Sequence, residues 1–465
     1  MKILLISPNC KRKLGKSFRV SPVLYPLGLA YLAAVLRRDK QKVKILDAEA
    51  LNFKMKQIMD YVESYRPDVV GFSVKTPAVY NVFRMAKKIK EKYPQIKIVV
   101  GGPHPSAIPE ESAKEEFIDF VVVGEGELTM LELVNELNGK KNFKKINGLV
   151  FRNKKNKVIV NKPREQIHDL DALPYPAFDL LPLEKYVSIN SKDKKFINIL
   201  TSRGCPGRCI FCNKRVFGNN CRMRSAKNLI QEIEFLIKTY GYKEFHIVDD
   251  LFTNDRQRVI DFCNLVIKKK LRIKWKCGNG VRVGTIDLEL LRLMKRSGCY
   301  SLSYGIESGN QKILNNLRKG QTLQQCKNAV TLTKKVGIDC IGFFIFGGLG
   351  EDKKTMRETL NFAKSLDLDL AQFMIVVPYP GTLIREVIEQ EGKLLVDSWE
   401  KYDHLEGKAI FEHGKLKAKD MEEMHKKAYK EFYRRPQYLL KKIFKKRTWN
   451  EFKGELSGFL ALLEM

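Results

Sequence analysis

The chain has 465 residues, 44% of them hydrophobic, which is more than one ordinary core accommodates and predicts two or three domains. A formal net charge of +32 points to an anionic counterpart, nucleic acid or a phospholipid surface, and charge alone does not choose between them. Met1–Ser7 is too short for the apolar stretch of a signal peptide, and no uncharged apolar run approaches the ~20 residues of a membrane span, so the expectation is a cytoplasmic protein.

From Met1 to about residue 138, short apolar runs alternate with amphipathic helical patterns. Strands are expected at 3–6, 43–46, 69–72, 98–100 and 120–123, with helices such as 26–38, opened by Pro26, and 79–93. This alternation reads as a doubly wound parallel sheet, flavodoxin- or Rossmann-like, whose ligand crevice lies at the C-terminal strand ends. Ser73 follows the third strand, Gly101, Gly102 and His104 follow the fourth, and Gly124 with Glu125 follow the fifth. Glycine at such an edge lets backbone approach a bulky ligand.

Residues 139–194 read as an ordered linker, with a hairpin around 149–160 and a proline-rich passage at 173–182. From residue 195 to 392 the strand–helix rhythm returns six times, with strands at 197–201, 245–249, 273–277, 301–306, 341–346 and 373–377. Six such repeats predict a partial TIM-like (β/α)6 barrel with its site at the C-terminal strand ends. Residues 393–465 form a basic helical extension; the apolar spacing across 438–446 suits either a helix on an anionic membrane face or one packed on the barrel.

Directly after the first barrel strand comes Cys205-Pro206-Gly207-Arg208-Cys209-Ile210-Phe211-Cys212. One short loop thus supplies three thiolates. A structural zinc site recruits a fourth Cys or His, for which Cys221 is the nearby candidate. A disulfide is disfavoured by the odd number and by reducing conditions. Ferredoxin-type clusters take four Cys, so three suit three corners of a 4Fe–4S cube and leave one iron open. Other cysteines, such as Cys263, Cys326 and Cys340, sit inside periodic segments and read as buried thiols.

The C-x3-C-x2-C loop resembles that of the radical S-adenosylmethionine (SAM) superfamily, and its placement behind a Gly-edged sheet resembles the cobalamin-dependent radical SAM enzymes over about residues 1–392. The resemblance implies that Cys205, Cys209 and Cys212 hold the cluster. It implies that SAM is bound beside Phe211, Asp249, Asp250, Arg282, Glu307 and Ser308, the last two within a Gly-x-Glu-Ser-Gly segment. It places cobalamin against Ser73, Gly101, Gly102, His104, Gly124 and Glu125. The segment 8–15 lacks the Asp-x-His-x-x-Gly motif that binds cobalt from below in other cobalamin domains.

The implied chemistry is one-electron cleavage of SAM to a 5′-deoxyadenosyl radical that takes hydrogen from an unactivated carbon, which acid–base groups do not activate. The implied outcome is C-methylation from methylcobalamin, with cyclisation or rearrangement as the alternative. The tail suggests a lipid or isoprenoid-like substrate and peripheral contact with an anionic membrane; flavodoxin or ferredoxin is the expected electron donor. A tRNA methylthiotransferase would need a second cysteine trio in the first domain, where only Cys10 occurs, so nucleic acid is not the expected partner. A non-catalytic cobalamin or redox sensor is the remaining alternative.

Overall fold

Alternation along the first strand decides the layering. A computed structural model describes residues 1–9, 25–188, 190–404, 406–444 and 448. In β1 (Lys2–Ser7), Ile3 and Leu5 face the helices Leu27–Arg38 and Gly126–Asn138, while Leu4 and Ile6 face Met55–Tyr65 and Val79–Lys92. Both faces are apolar, as a sheet covered on two sides requires. With β2 (Lys42–Asp47), β3 (Val69–Ser73), β4 (Lys97–Gly101) and β5 (Phe120–Val122) the parallel order is β2-β1-β3-β4-β5, the doubly wound sheet expected.

The hairpin assigned to the linker does more than connect. Its strands β6 (Leu149–Arg152) and β7 (Val158–Val160) continue the same sheet antiparallel beyond β5, so the first structural unit extends to Val160 and the connecting segment begins later than residue 139. Val150 and Phe151 are buried there, which explains why this piece does not remain a free linker.

The second sheet starts at β8 (Ile197–Ile199). Two short strands follow, β9 (Ser202–Arg203) and β10 (Arg222–Met223), which pair with each other antiparallel and hold the cysteine loop between them. The barrel continues through β11 (Glu244–Ile247), β12 (Lys274–Val281), β13 (Cys299–Glu307), β14 (Asp339–Phe346) and β15 (Leu370–Ile375). Its order is β15-β14-β13-β12-β11-β8, every pairing parallel, with helices on the outer face. Trp275, Cys277, Tyr304, Phe344 and Phe373 belong to the buried core on that outer side.

An open barrel leaves β15 with an unpaired edge, and edges are normally covered. The basic extension does this. In the helix Ala418–Tyr433, the Tyr433 hydroxyl both receives the Ala371 N–H at 3.1 Å and donates to the Ala371 carbonyl at 2.7 Å, and Tyr429 treats Phe373 the same way. In the next helix, Pro436–Phe444, Tyr438 is buried and donates to Asp369 O at 2.8 Å, while Leu439 and Leu440 remain exposed. The tail helix is therefore docked on the barrel along its Tyr438 face. Between barrel and helices, β16 (Gly392–Leu394) pairs with β17 (Phe411–His413).

Candidate active site

The cysteine loop is shaped by its first glycine. Gly204 has φ of +86°, and a Cβ there would overlap the Asn220 carbonyl oxygen and lie 2.9 Å from that of Phe217. Beyond it the loop is pinned at Ile210, whose N–H reaches Leu317 O at 3.2 Å and whose carbonyl accepts Ile384 N–H at 3.0 Å. The Cys205 and Cys209 sulfurs both lie over Gly207, 3.4 and 3.9 Å from where a Cβ on that residue would sit. Phe211 packs against the core beside them.

All three thiols are free, and Cys212 is the exposed one. Desolvation raises the Cys209 thiol and pushes Cys212 up to about 11, with Cys209 and Asp250 adding to the latter. Among the described residues no three Cys, His, Asp or Glu side chains converge on a single-ion position, the arrangement mononuclear zinc requires. Cys205, Cys209 and Cys212, free on one loop, supply three thiolates for three irons of a cube.

The two aspartates after β11 part company. Asp249 is turned back into the fold, accepting from Thr201 N at 2.6 Å, from Ser202 Oγ at 2.6 Å and from Thr201 Oγ1, with Arg258 at 3.9 Å. It is 2% exposed and anchors the root of the cysteine loop, with both oxygens engaged by that loop's first residues. Asp250 is exposed. Its carboxyl is raised by partial desolvation and by Asp249, against a bond from the Gly204 N–H.

Glu307 ends β13 with φ of +67° and is 6% exposed. It accepts from Lys319 Nζ at 2.5 Å, and Lys319 is held protonated above its usual range, desolvation being outweighed by Glu307 with Cys209 and Cys212 nearby. A Cβ on Gly305 would lie 2.5 Å from Glu307 Oε1 and 2.7 Å from Lys319 Nζ, so only glycine leaves room for the pair. An anion and a cation side by side next to the cysteines match the ammonium and carboxylate of an amino acid such as the methionine part of SAM.

Arg282, the cation expected for that carboxylate, gives one Nη2 bond to Gly320 O at 2.8 Å. Ser308 is fully buried, bonded to Thr359 Oγ1 at 3.0 Å and accepting Asn310 N–H at 3.1 Å; it shapes the turn after Glu307 rather than facing a ligand. Lys319 escaped the sequence reading because attention fell on strand ends. It lies 12 residues beyond Glu307, after the short helix Gln311–Asn316, with no pattern to mark it.

Between these groups the barrel is open inside. A Cβ on Gly278 would meet nothing within 4 Å, and one on Gly280 nothing nearer than Ser303 O at 3.9 Å. Strand alternation aims Ile341 and Phe343 of β14 and Gln372 and Met374 of β15 inward, and all four are only partly buried, as walls of a slot are.

On the first sheet, the β3 and β4 ends present Ser73, Gly101 and Gly102. Gly102 has φ of +100°, and a Cβ there would lie 3.0 Å from Val74 N and 3.3 Å from Ser73 Oγ, so the edge stays free of bulk. That edge fits a large planar ligand resting on backbone. His104 does not belong to its open surface. It is 0% exposed, with Nδ1 3.3 Å from Thr76 Oγ1 and Trp399 edge-on at 5.4 Å, and burial pushes its pKa down to about 4. Gly124 donates to Ser106 Oγ at 3.0 Å and faces Val216 of the cysteine loop. Glu125 is committed elsewhere: Oε1 receives Arg203 at 2.8 Å, and Oε2 receives Arg222 at 2.7 Å and Ile167 N–H at 2.9 Å. Cys10 lies outside the described residues.

A sheet with an unobstructed ligand edge, joined to a partial barrel whose first loop carries three cysteines, suits a cluster on the barrel and a second cofactor on the sheet. The model of the B12 binding domain matches residues 18–134 and that of the radical SAM superfamily matches 199–363. An uncharacterised methyltransferase of Pyrococcus horikoshii is 37% identical over 446 residues, 96% of this chain and 95% of that one. The anaerobic magnesium-protoporphyrin IX monomethyl ester cyclase of Rubrivivax gelatinosus is 31% identical, with 87% and 72% of the two chains covered. The fold is shared with the cobalamin-dependent SAM radical enzyme OxsB (TM-score 0.76, 18% identity, 99% and 72% covered) and with the radical SAM methyltransferase TsrM of Kitasatospora setae (0.68, 20%, 84% and 78%). The chain belongs to the cobalamin-dependent radical SAM family. It is an enzyme, and its cofactors are a 4Fe–4S cluster, SAM and cobalamin.

Proposed function

We propose that the protein C-methylates an unactivated carbon in a substrate with an apolar skeleton, of lipid or isoprenoid type. The open slot beside Gly278 and Gly280 carries this reading, because its partly exposed walls Ile341, Phe343 and Met374 offer apolar contact with one amide, Gln372, to orient a polar end. When bound, the reduced cluster and SAM supply a carbon-centred oxidant, and cobalamin supplies the methyl group. The chain's own part is placement. Cys205, Cys209 and Cys212 fix the cluster, Glu307 and Lys319 take the two charges of the methionine moiety, and the exposed Asp250, bonded by the Gly204 N–H, keeps acceptor capacity near Cys212 for a further contact. Closure around the slot protects a reactive intermediate from water.

Anaerobic reconstitution is expected to load about four irons per chain, lost on Cys205→Ala, and to release 5′-deoxyadenosine from SAM. Methyl-labelled SAM incubated with a lipid extract then tests the substrate class: label in an apolar product supports it, and label found only in water-soluble products refutes it. Cyclisation is the second reading, favoured by the likeness to a cyclase; a product that loses hydrogen without gaining label identifies it.

The same reading extends to partners. Arg208 and Arg215 are exposed around the cysteine loop, which suits an acidic flavodoxin or ferredoxin as electron donor. Cluster reduction by such a donor is then expected to slow as salt rises. No helix among the described residues is long and apolar enough to cross a membrane. The exposed Leu439 and Leu440, on a chain of net charge +32, support peripheral contact with an anionic bilayer. Flotation with phosphatidylglycerol vesicles, undiminished in a Leu439→Ser/Leu440→Ser variant, refutes contact through this helix.

A further inference from the structure

Four buried charges join the two halves of the molecule. Arg203 lies two residues before Cys205 and forks onto both acids of the Gly124-Glu125-Gly126-Glu127 turn, reaching Glu125 Oε1 at 2.8 Å and Glu127 Oε1 at 2.6 Å. Arg222, on the other arm of the cysteine loop, reaches Glu125 Oε2 at 2.7 Å. Arg222 also donates to the Ile167 and Phe217 carbonyls, and Arg203 lies over the rings of Tyr31 and Phe217. All four charged side chains are at most 6% exposed.

Such a knot is a costly way to gain stability. Desolvation of buried ions offsets most of their attraction, and apolar residues of similar shape stabilise as well. What the two guanidiniums and two carboxylates do provide is geometry, since both oxygens of Glu125 and Oε1 of Glu127 are held in direction as well as distance. The knot sits where geometry matters. One side is the turn directly after β5, at the cobalamin edge, and the other is both arms of the loop that carries the cluster.

We infer that Glu125 and Glu127 are positioning residues that set the separation between the cluster loop and the cobalamin edge. Resting on the two-cofactor reading, the assignment gives the second and fourth residues of that glycine–glutamate turn a role apart from ligand contact. It also explains why Glu125 is turned from the edge: the side chain grips the other domain, while the Gly124 backbone remains on the ligand side against Val216.

The test uses holoenzyme carrying cob(II)alamin and the reduced cluster, with their separation read by pulsed electron paramagnetic resonance. Glu127→Gln removes one of the two carboxylate charges and is expected to shift and broaden the cobalt–cluster distance distribution while iron and corrinoid contents stay at the wild-type level. Glu127→Asp keeps the charge balance, so folding is preserved, but falls short of Arg203 and is expected to shift the distance in the same sense. A wild-type distance distribution in cofactor-loaded Glu127→Asp overturns the inference, even if Glu127→Gln melts earlier, because the knot would then serve stability alone. Absence of corrinoid from the wild-type protein would instead strike the two-cofactor reading, and that is measured before any variant.

Discussion

Asp249→Asn separates a cofactor ligand from a scaffold residue. In the folded protein the carboxylate accepts three hydrogen bonds from Thr201 and Ser202 and stands 3.9 Å from Arg258. Arg258 is buried, which lowers its pKa, yet a guanidinium stays charged, and Asp249 is the anion beside it. The amide retains one acceptor for Thr201 N–H, and the two hydroxyls turn to accept from its NH2; the uncompensated charge on Arg258 remains. Breaking a buried pair by removing one partner costs roughly 3–5 kcal/mol. Taking about 3 kcal/mol for this partly rescued case, and ~2–4 °C per kcal/mol for a domain of barrel size, the melting temperature should fall by about 6–12 °C. Iron content should fall with it, because Thr201 and Ser202 lead into the cysteine loop. Differential scanning calorimetry and iron analysis of the reconstituted protein check both. A variant that melts like wild type and keeps its iron but no longer binds SAM refutes the scaffold role and restores Asp249 as a ligand.

Gly204→Ala should abolish cluster assembly, because its Cβ overlaps Asn220 O at a positive φ; iron analysis and visible absorption after reconstitution check it. Lys319→Met removes a charge-assisted bond worth roughly 1.5–3 kcal/mol, so SAM affinity by equilibrium dialysis should fall about tenfold to a hundredfold, with cluster content unchanged. Glu351, 2% exposed and bonded to Gly347 and Gly348 N–H, is pushed up to about 8 by desolvation. The unfolded chain ionises this group first, so it lowers stability progressively as pH rises from about 4.5 to about 8. Glu351→Gln should therefore gain melting temperature relative to wild type between about pH 5 and pH 8.5, the full difference being of order 4 kcal/mol; an equal gain at both ends refutes the assignment.

Much of the architecture is legible because it rests on local pattern. The strands expected at 43–46 and 98–100 appear as Lys42–Asp47 and Lys97–Gly101, and the helix expected at 79–93 appears as Val79–Lys92. Apolar residues recurring at a helix or strand period announce themselves within a few positions. The hairpin at 149–160 was also visible, but its attachment to the edge of the first sheet was not, since pairing partners are chosen by burial across the fold. The tail shows the same limit. Its basic, aromatic composition suited a membrane face, while Tyr429, Tyr433 and Tyr438 are spent on the open edge of β15.

The sequence by itself determined the chemistry: three sulfurs at C-x3-C-x2-C spacing lie within one loop wherever that loop is placed, and the strand–helix rhythm requires a parallel sheet beneath it. Tertiary structure alone decided which charged groups are free to act. Asp249 and Asp250 are neighbours in the chain, yet one is engaged by Thr201 and Arg258 and the other is exposed. Glu125 looked like part of a ligand edge until folding brought Arg203 and Arg222 to it from 78 and 97 residues away. A side chain's chemistry is local, but its availability depends on which long-range partner claims it first when water is removed.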